Sequence, residues 1–460
     1  MLTVSLVVGL DALDVSMVGV ALPAIQADLG LSTSALQWVV SGYVLSYGGL
    51  LLLGGRTADL LGRRRVFLVA VAVFAVASLV GGLVDDGTLL IVTRLLKGVA
   101  AAFTAPAALS IITTTFAEGP ARNRALGIFA VFGASGYSAG LVLSGLLTEI
   151  GWRWTFLLPV PVALVALVAA HRLLPHDRPD RTGGYDLPGA VIGVAAMLLL
   201  VYTVVEAPEV GWAAPRTLAQ FAATALLLAA FVVIERRTAH PLVRLGILRS
   251  GPLARANLGA TLFFGGYLGF QFLVMLYLQS VLGWTPLQTA LGFLPAALIV
   301  AFGSPRMEPL IDRFGTSRTI AAGVVAHVVG YLLFLLVDRD APYAIGVLPS
   351  MVLLGLGFML AFASFNIQAT AGIPDSEQGL AGGLLNTSLQ VGGAVGLAVV
   401  TAVLVANGEG RTGPDALLAG FTPALVVITG FAVAGLGVAL SGIVHRRPAP
   451  ARTDELSPNG

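Results

Sequence analysis

Residues 54–65 read GGRTADLLGRRR, a short arginine-rich turn between two long apolar runs. The run before it, residues 36–53, is almost entirely hydrophobic, and the run after it, residues 66–84, carries no charge. Each run has about the 20 residues that cross the hydrocarbon core of a bilayer as a helix. Arginines in a short loop between two spans keep that loop on the cytoplasmic side. The turn therefore predicts two membrane-spanning helices and the orientation of both.

The composition of the whole chain is that of an integral membrane protein. Of its 460 residues, 57% are hydrophobic and 11% are charged, and the mean hydropathy is +0.91, far from the values of soluble domains. The chain has no cysteine, which excludes disulfides and thiol chemistry. Of its five histidines only His327 lies in an apolar run, and no polar neighbour accompanies it there. We therefore expect no buried metal site.

Apolar segments long enough to span a membrane recur fourteen times along the chain. The first begins at the amino terminus without a basic or cleavable leader, so we expect it to be retained. Two polar connections, residues 171–186 and 235–252, divide the spans into six, two and six. The predicted all-α protein comprises a six-helix bundle at 1–172, a linker with two extra spans at 173–252, a six-helix bundle at 253–444 and a disordered cytoplasmic tail at 445–460.

The distribution of basic residues orients these spans. Twenty of the 26 lysine and arginine residues fall on the side of the 54–65 turn, and four fall on the opposite side. This bias is the positive-inside pattern, and it predicts that both termini are cytoplasmic. Lysine occurs once, at Lys97, and that skew toward arginine indicates a GC-rich bacterial genome. We therefore expect a multi-pass protein of a bacterial plasma membrane.

A short repeat relates the two predicted bundles. Asp59-Leu-Leu-Gly62 is echoed by Asp312-Arg-Phe-Gly315, each in the turn after the second span of a six-span set. Two such halves build one large class of secondary transporters, in which the substrate site lies between the halves near the middle of the bilayer. The two middle spans then look like an insertion.

Several motifs resemble the fourteen-span drug:proton antiporter branch of the major facilitator superfamily. The 54–65 turn is similar to the loop signature of the superfamily, with Gly55, Asp59, Gly62 and Arg63 at its positions. LDVSMVGVALPAI in span one is similar to the branch pattern LDxTIVNVALPxI and places Asp14 on its acid. LQWVVSGYVLS, GWRWTFLLPVP and GLAGGLLNTSLQVGGAVGLAVV also resemble segments of the branch. The resemblance covers most of the chain in the right order and implies a multidrug efflux transporter.

Span five departs from the pattern of that branch. The branch carries GPxxGG, whereas this chain has GLVLSG at residues 140–145, without the proline and with one glycine fewer. In the branch the proline kinks the helix, and the glycines let it pack closely against the opposite half. Gly133, Gly136, Gly140 and Gly145 still form a small-residue face. A facilitated or differently coupled transporter therefore stays open as an alternative to a proton antiporter.

Two acids and two bases are predicted inside the first bundle. Asp11 and Asp14 are three residues apart in span one, as are Arg94 and Lys97 in span four. A carboxylate at that depth costs about 2.5 to 3.5 kcal/mol and is functional by default. At about 1.5 Å per residue, Asp14 and Lys97 lie at similar depths. We predict one near-neutral cluster, in which Arg94 pairs with either acid.

This cluster is the predicted site of proton coupling. Burial favours the protonated form of a carboxylate and a nearby base favours its ionised form, so such a group can exchange a proton. Asp14, with or without Asp11, is predicted to take up a proton outside and release it inside. The alternative is a permanent ion pair that holds the two helices together. Asp11 is not part of the pattern of the branch, and the alternative for it is a role in the charge preference for substrates.

The resemblance also implies that the two cytoplasmic turns gate the transporter. The predicted gating residues are Gly55, Asp59, Gly62, Arg63, Asp312 and Arg313. Under the alternative, the arginines of these turns serve topology alone.

Aromatic and amide side chains in the apolar spans are the candidate cavity residues. An amide is costly in lipid and is expected to face the protein interior. The candidates are Tyr43, Tyr47, Tyr137, Tyr267, Phe270, Gln271, Asn366, Gln368, Asn386 and Gln390. Hydrogen bonding between helices, worth about 0.6 kcal/mol on average, is the alternative for each. Asn386 and Gln390, one turn apart on a motif of the branch, are the strongest pair.

Together these features predict a secondary active transporter that exports amphipathic small molecules, such as drugs or a secondary metabolite, in exchange for protons. A lipid-modifying enzyme would need a cluster of His, Asp or Ser at a membrane surface, and a sensor would need a soluble domain; the sequence shows neither. It also has no GxxxxGK[ST] loop, so a proton gradient is the expected energy source, without a cofactor. We expect a monomer in the lipid bilayer that binds no nucleic acid.

Overall fold

A computed structural model of the chain describes residues 1–116, 120–174, 186–238, 245–336, 342–373, 375–408 and 414–444. The predicted tail, 445–460, lies outside the described residues. Within them the chain is helical and has no strand, which confirms the predicted all-α fold. The helices are α1 (Leu2–Leu29), α2 (Thr33–Leu61), α3 (Arg63–Leu83), α4 (Gly87–Thr115), α5 (Pro120–Ile150), α6 (Trp154–Leu157), α7 (Pro159–Leu173), α8 (Leu187–Val210), α9 (Pro215–Arg237), α10 (Gly251–Leu276), α11 (Pro286–Gly303), α12 (Met307–Phe314), α13 (Thr316–Phe334), α14 (Tyr343–Gly346), α15 (Leu348–Thr370), α16 (Asp375–Gly408) and α17 (Pro414–Val444). They are supplemented by two 3₁₀ turns, Leu245–Arg249 and Ser304–Arg306, and a π turn, Tyr277–Val281.

Polar side chains mark where several helices begin. Ser32, Asp86 and Thr285 each accept a hydrogen bond from a backbone N–H of the first turn of α2, α4 and α11. Such caps satisfy donors that have no partner within the helix. Thr285 also forms a complete capping box with Gln288. These short polar signals separate long apolar runs into individual helices.

Eleven of the described helices are long and apolar enough to cross a membrane. The remaining predicted spans, numbers two, five and seven, are helical as well and correspond to α2, α5 and α8. The chain is therefore a multi-pass helical membrane protein, and its count of fourteen spans stays a prediction.

The helices pack as two groups. In the first group α1 lies beside α5 and α2 beside α4, and in the second α10 lies beside α16 and α13 beside α15. Two seams join the groups, one between α2 and α16 and the other between α5 and α11. A substrate site between two halves would have to lie between these seams.

The two repeated turns share one backbone geometry. Gly62 ends α2 and begins α3 with φ 96° and ψ 125°. Gly315 has the same position between α12 and α13, with φ 79° and ψ 157°. Glycine adopts such positive φ values readily, whereas residues with a Cβ are strained there. The repeated Asp-x-x-Gly motif thus also has a repeated backbone conformation.

One of the two extra helices, α8, lies against the α2–α16 seam. α8 pairs with α9 and contacts both α2 and α16. The ring centre of Tyr202 is 6.1 Å from that of Trp38 in α2, and Val204 packs in one apolar cluster with Ala394 and Ala398 of α16. The sequence indicated an insertion, and the structure places part of it against both groups of helices.

Candidate functional site

An ion-paired cluster lies inside the first group of helices. Asp14 of α1 is fully buried and accepts hydrogen bonds from two bases of α4. Nη1 of Arg94 lies 2.6 Å from Oδ2, and Nζ of Lys97 binds Oδ1. Both bases are themselves buried, and their spacing puts them on one face of α4. This charge cluster of Asp14, Arg94 and Lys97 contains one acid for two bases.

Neighbouring helices hold the Arg94 side chain in place. Its Nε donates to the backbone oxygen of Val39 at 2.9 Å, and its guanidinium carbon lies 4.6 Å from the centre of the Tyr43 ring. A cation over an aromatic face is attracted by the ring. Tyr43 is 1% exposed. The structure therefore packs this predicted cavity residue against the charge cluster, and its contact with substrate stays a prediction.

Lys97 is held by residues that the sequence analysis did not identify. Its Nζ donates to Oγ of Ser78 in α3 at 2.8 Å and lies 4.8 Å from the Phe74 ring and 5.1 Å from the Phe156 ring. Ser78 donates in turn to the backbone oxygen of Phe156. Ser78 is the only polar residue in the run 66–84. Its isolated position was the one feature of the sequence that could have identified it as a partner of a buried charge.

Asp11 stands apart from the two bases. Its Oδ2 accepts a hydrogen bond from Oγ1 of Thr104 in α4 at 2.8 Å, and it makes no ion pair among the described residues. Of the two acids that the sequence allowed as partners of Arg94, the structure selects Asp14, which binds both bases. Since α1 and α4 run in opposite directions, one turn back along α1 corresponds to later residues of α4, where Thr104 lies.

Glycines of α5 let α1 approach its backbone closely. A Cβ at Gly136 would lie 2.8 Å from the carbonyl carbon of Gly9, and a Cβ at Gly140 would lie 2.5 Å from the backbone oxygen of Leu13. Gly145 instead packs against α11 of the other group. The small-residue face of α5 was expected to pack against the opposite half. Gly145 does so, whereas Gly136 and Gly140 pack against α1 of their own group.

A hydrogen-bond chain joins the two groups at mid-helix. Oη of Tyr137 in α5 donates to Oε1 of Gln271 in α10 at 3.0 Å. Nε2 of Gln271 donates to Oη of Tyr267 at 3.0 Å. Three of the predicted cavity residues therefore meet where the two groups face each other.

Removing the Tyr137 hydroxyl tests whether this chain holds the groups together. Tyr137→Phe and Gln271→Leu are each expected to lower the free energy of unfolding by about 1 kcal/mol, the net value of a neutral hydrogen bond. A double-mutant cycle, measured by unfolding in mixed detergents, should give a coupling of about 0.5 kcal/mol or more. Additive losses would contradict a bond in the resting protein.

Phe270 and Tyr47 have different surroundings. Phe270 is fully buried, with ring centres 4.6 Å from Tyr331 and 5.4 Å from Phe334. The structure packs it among aromatic rings of the second group, and its contact with substrate stays a prediction. Tyr47 is half-buried, and its ring lies 6.0 Å from that of Tyr43.

The four remaining amide side chains also have different surroundings. Asn366 and Asn386 each donate to the carbonyl four residues earlier in their own helix, at 2.8 Å and 3.0 Å, a local bond that occupies one N–H of the amide. Gln368 is buried. Gln390 packs across the α2–α16 seam against Gly48. Substrate contact stays a prediction for all four.

The predicted gating residues lie at the two repeated turns. Asp312 and Arg313 are exposed in α12, and Arg63 is half-buried at the start of α3. Gly55 packs against α4. The Asp59 side chain lies outside the described part of the structure. Gating by these residues stays a prediction.

His327 has polar partners, although its apolar run predicted none. Its Nε2 lies 3.1 Å from the backbone oxygen of Leu354, and its Nδ1 lies 3.2 Å from Oη of Tyr331. Its ring stacks on Phe263 with centres 4.7 Å apart. Leu354 belongs to α15, and this contact depends on packing between helices. Tyr331 lies one turn after His327 in the same helix, so its position in the sequence could have identified it as a partner.

Comparisons with known proteins agree with this architecture. The family model of the Major Facilitator Superfamily matches residues 4–397. The puromycin resistance protein pur8 of Streptomyces alboniger is 38% identical over 440 residues, which cover 92% of this chain and 86% of the relative. The cephamycin export protein CmcT of Amycolatopsis lactamdurans is 39% identical over 411 residues, covering 88% and 84%.

A solved structure shows the same fold at low sequence identity. The POT family transporter PepTSo superposes with a TM-score of 0.69 at 18% identity, covering 96% of this chain and 97% of that one. The family model matches most of the chain, and both relatives are more than 30% identical to it over most of its length. This chain therefore belongs to the Major Facilitator Superfamily.

Proposed function

We propose that this protein exports antibiotics or similar amphipathic small molecules from a bacterial cell in exchange for protons. The names of two relatives, a puromycin resistance protein and a cephamycin export protein, support the substrate class. The two-halved fold supports alternating access, in which a central site opens to one side of the membrane at a time. The site itself would be formed by residues of both helix groups near the bonded Tyr137 and Gln271.

The buried ionisable groups of α1 and α4, which are the charge cluster together with the buried Asp11, are the observation that carries the proposal of proton exchange. Asp14, Arg94 and Lys97 lie inside apolar helices and are at most 1% exposed. Well-packed apolar residues in place of a buried ion pair are often equally stable or more stable, so stability alone does not explain the cluster. Ionisable groups within membrane helices mark ion and proton pathways.

Contacts between the helix groups support a state that is closed at one end. Nε2 of Gln279 donates to the backbone oxygen of Val20 at 3.0 Å, and Gly145 packs against Leu287. These contacts lie toward the ends of α1 and α5 that are far from the 54–65 turn. With that turn in the cytoplasm, as the arginines predict, the closed end is the outer one.

Liposomes that carry the purified protein test the exchange. Puromycin or a cephamycin is added outside with an acidic lumen, and uptake and lumenal pH are followed together. For one-for-one electroneutral exchange, a gradient of one pH unit should accumulate substrate by about tenfold, since one unit corresponds to about 1.4 kcal/mol. A protonophore should abolish accumulation, and protein-free liposomes are the control.

Uptake that does not depend on the pH gradient would support the second candidate, a facilitated or differently coupled transporter. One observation favours that candidate: α5 runs unbroken over Pro120–Ile150, without an internal proline like that of the antiporter pattern. Transport of neither compound, from protein that is folded and inserted, would count against the substrate class.

A further inference from the structure

The two acids of α1 have unequal surroundings. Asp14 is 0% exposed, and each of its oxygens binds a base. Asp11 is 9% exposed, and Thr104 binds its Oδ2. The Oδ1 atom of Asp11 is buried without a hydrogen-bond partner among the described residues. An ionised carboxylate with an unsatisfied buried oxygen is costly, so the two acids have different chemical tasks.

Asp14 is held in its ionised form by the bases around it. Its protonation would leave Arg94 and Lys97 buried without a counter-charge, a costly arrangement. Neither base is free to turn to water, because Arg94 also binds the backbone oxygen of Val39 and Lys97 also binds Ser78. Asp14 therefore serves as a positioning residue that fixes the two cations.

Thr104 can satisfy Asp11 in both protonation states. Its Oγ1 lies 2.8 Å from Oδ2 of Asp11 and 3.1 Å from the backbone oxygen of Ala101. A hydroxyl has one hydrogen and accepts others. When Asp11 is ionised, Thr104 donates to it. When Asp11 is protonated, its O–H donates to Thr104, whose hydrogen turns to Ala101. The exchange needs only a rotation of the hydroxyl.

The proton on Asp11 changes the total charge of the buried region. The titratable or charged groups described around it lie on three helices: Asp14 on α1, Tyr43 and Tyr47 on α2, and Arg94 and Lys97 on α4. α5 and α7 meet α1 at a groove lined by apolar residues and glycines, and Asp11 is not among the residues that line it. With neutral tyrosines, the region is neutral when Asp11 is ionised and carries one positive charge when Asp11 is protonated.

We propose that Asp11, and not Asp14, is the carboxylate that binds the transported proton, with Thr104 as its positioning hydroxyl. The assignment rests on the proposed proton exchange and identifies the residue that performs it. A proton adds to a carboxylate oxygen of Asp11 from one side of the membrane and later leaves that group to the other side. No other bond is made or broken.

Infrared difference spectroscopy of the protein in lipid, titrated in H₂O and D₂O, observes the proton directly. We expect a protonated-carboxyl band that disappears as the pH rises and that is absent from Asp11→Asn. Asparagine keeps the size of the side chain and an acceptor oxygen for Thr104. Asp28→Asn, which removes an exposed acid of the same helix, should retain the band. A band that persists in Asp11→Asn overturns the assignment.

Thr104 provides a second test that leaves Asp11 in place. Thr104→Val removes the hydroxyl at similar volume and is expected to shift both the frequency and the titration midpoint of the band. Thr104→Ser keeps the hydroxyl and should restore both. An unchanged band in Thr104→Val would contradict the role of this residue.

Transport measurements separate this assignment from the proposed function. Under the liposome conditions above, with puromycin as the probe, Asp11→Asn is expected to lose the gradient-driven accumulation, about tenfold per pH unit, while puromycin still binds. Accumulation that persists in Asp11→Asn would overturn the assignment and leave proton exchange standing. Puromycin transport by the wild type without proton movement would overturn both.

Discussion

The Asp14→Asn variant is expected to lose about 3 to 5 kcal/mol of folding free energy, because breaking a buried pair from one side leaves the other charge uncompensated. Here two buried bases, Arg94 and Lys97, would lose the carboxylate that binds both. The measurement is equilibrium unfolding in mixed detergents, with the fraction of correctly folded protein after purification. A variant as stable as the wild type would show that Asp14 is protonated in the resting protein.

Asp28 on the same helix provides the matched control. Its Oδ2 accepts hydrogen bonds from Nε1 of Trp152 at 3.0 Å and Nη1 of Arg153 at 2.7 Å, but its side chain is 46% exposed. Exposed ion pairs contribute little to stability because water solvates the separated charges. Asp28→Asn should therefore change stability far less than Asp14→Asn. Equal losses at the two positions would contradict burial as the cause.

Gly140→Ala is expected to destabilise the protein by about 1 to 3 kcal/mol, as overpacking does in a closely packed interior. The new Cβ would lie 2.5 Å from the backbone oxygen of Leu13 and 3.0 Å from its Cα. Backbone atoms cannot rotate away, so α1 must shift beside Asp14. We therefore also expect reduced transport, measured in the same liposome assay.

Gly437 in α17 is the control for this substitution. A Cβ at Gly437 would meet nothing within 4 Å, so Gly437→Ala should be stabilising by about 0.5 to 1 kcal/mol through the lower helix entropy cost of alanine. The two Gly→Ala changes are thus predicted to have opposite signs. Losses of similar size at both positions would mean that helix propensity or insertion, and not the α1–α5 approach, controls stability.

Much of the fold could be predicted from the sequence, because the bilayer restricts the possibilities. A spanning segment must satisfy its backbone hydrogen bonds within itself, so an apolar run of sufficient length becomes a helix. The runs on both sides of the 54–65 turn are α2 and α3, and Gly62 turns the chain between them. The repeated motif at Gly315 could also be recognised in the sequence, because glycine adopts a positive φ more readily than other residues.

The candidate site could be predicted in part. Asp14, Arg94 and Lys97 stand out because charges are rare inside apolar helices, and their depths along the helices match. Which base pairs with which acid could not be predicted, because depth does not specify the direction in which a side chain points. Ser78 and Thr104 are common polar residues, and nothing along the chain distinguishes their partners.

The sequence by itself determined the helices, their order, the repeated turns and the presence of buried charge, because each depends on local composition and on the solvent. Tertiary structure alone decided how each helix is rotated and which neighbour it meets. In α1 apolar residues lie on every side of the helix, so no stripe marks the face toward the protein. Gly140 meets α1 and Gly145 meets α11 although both belong to α5. Such contacts follow from close packing between helices in a medium as apolar as the side chains themselves.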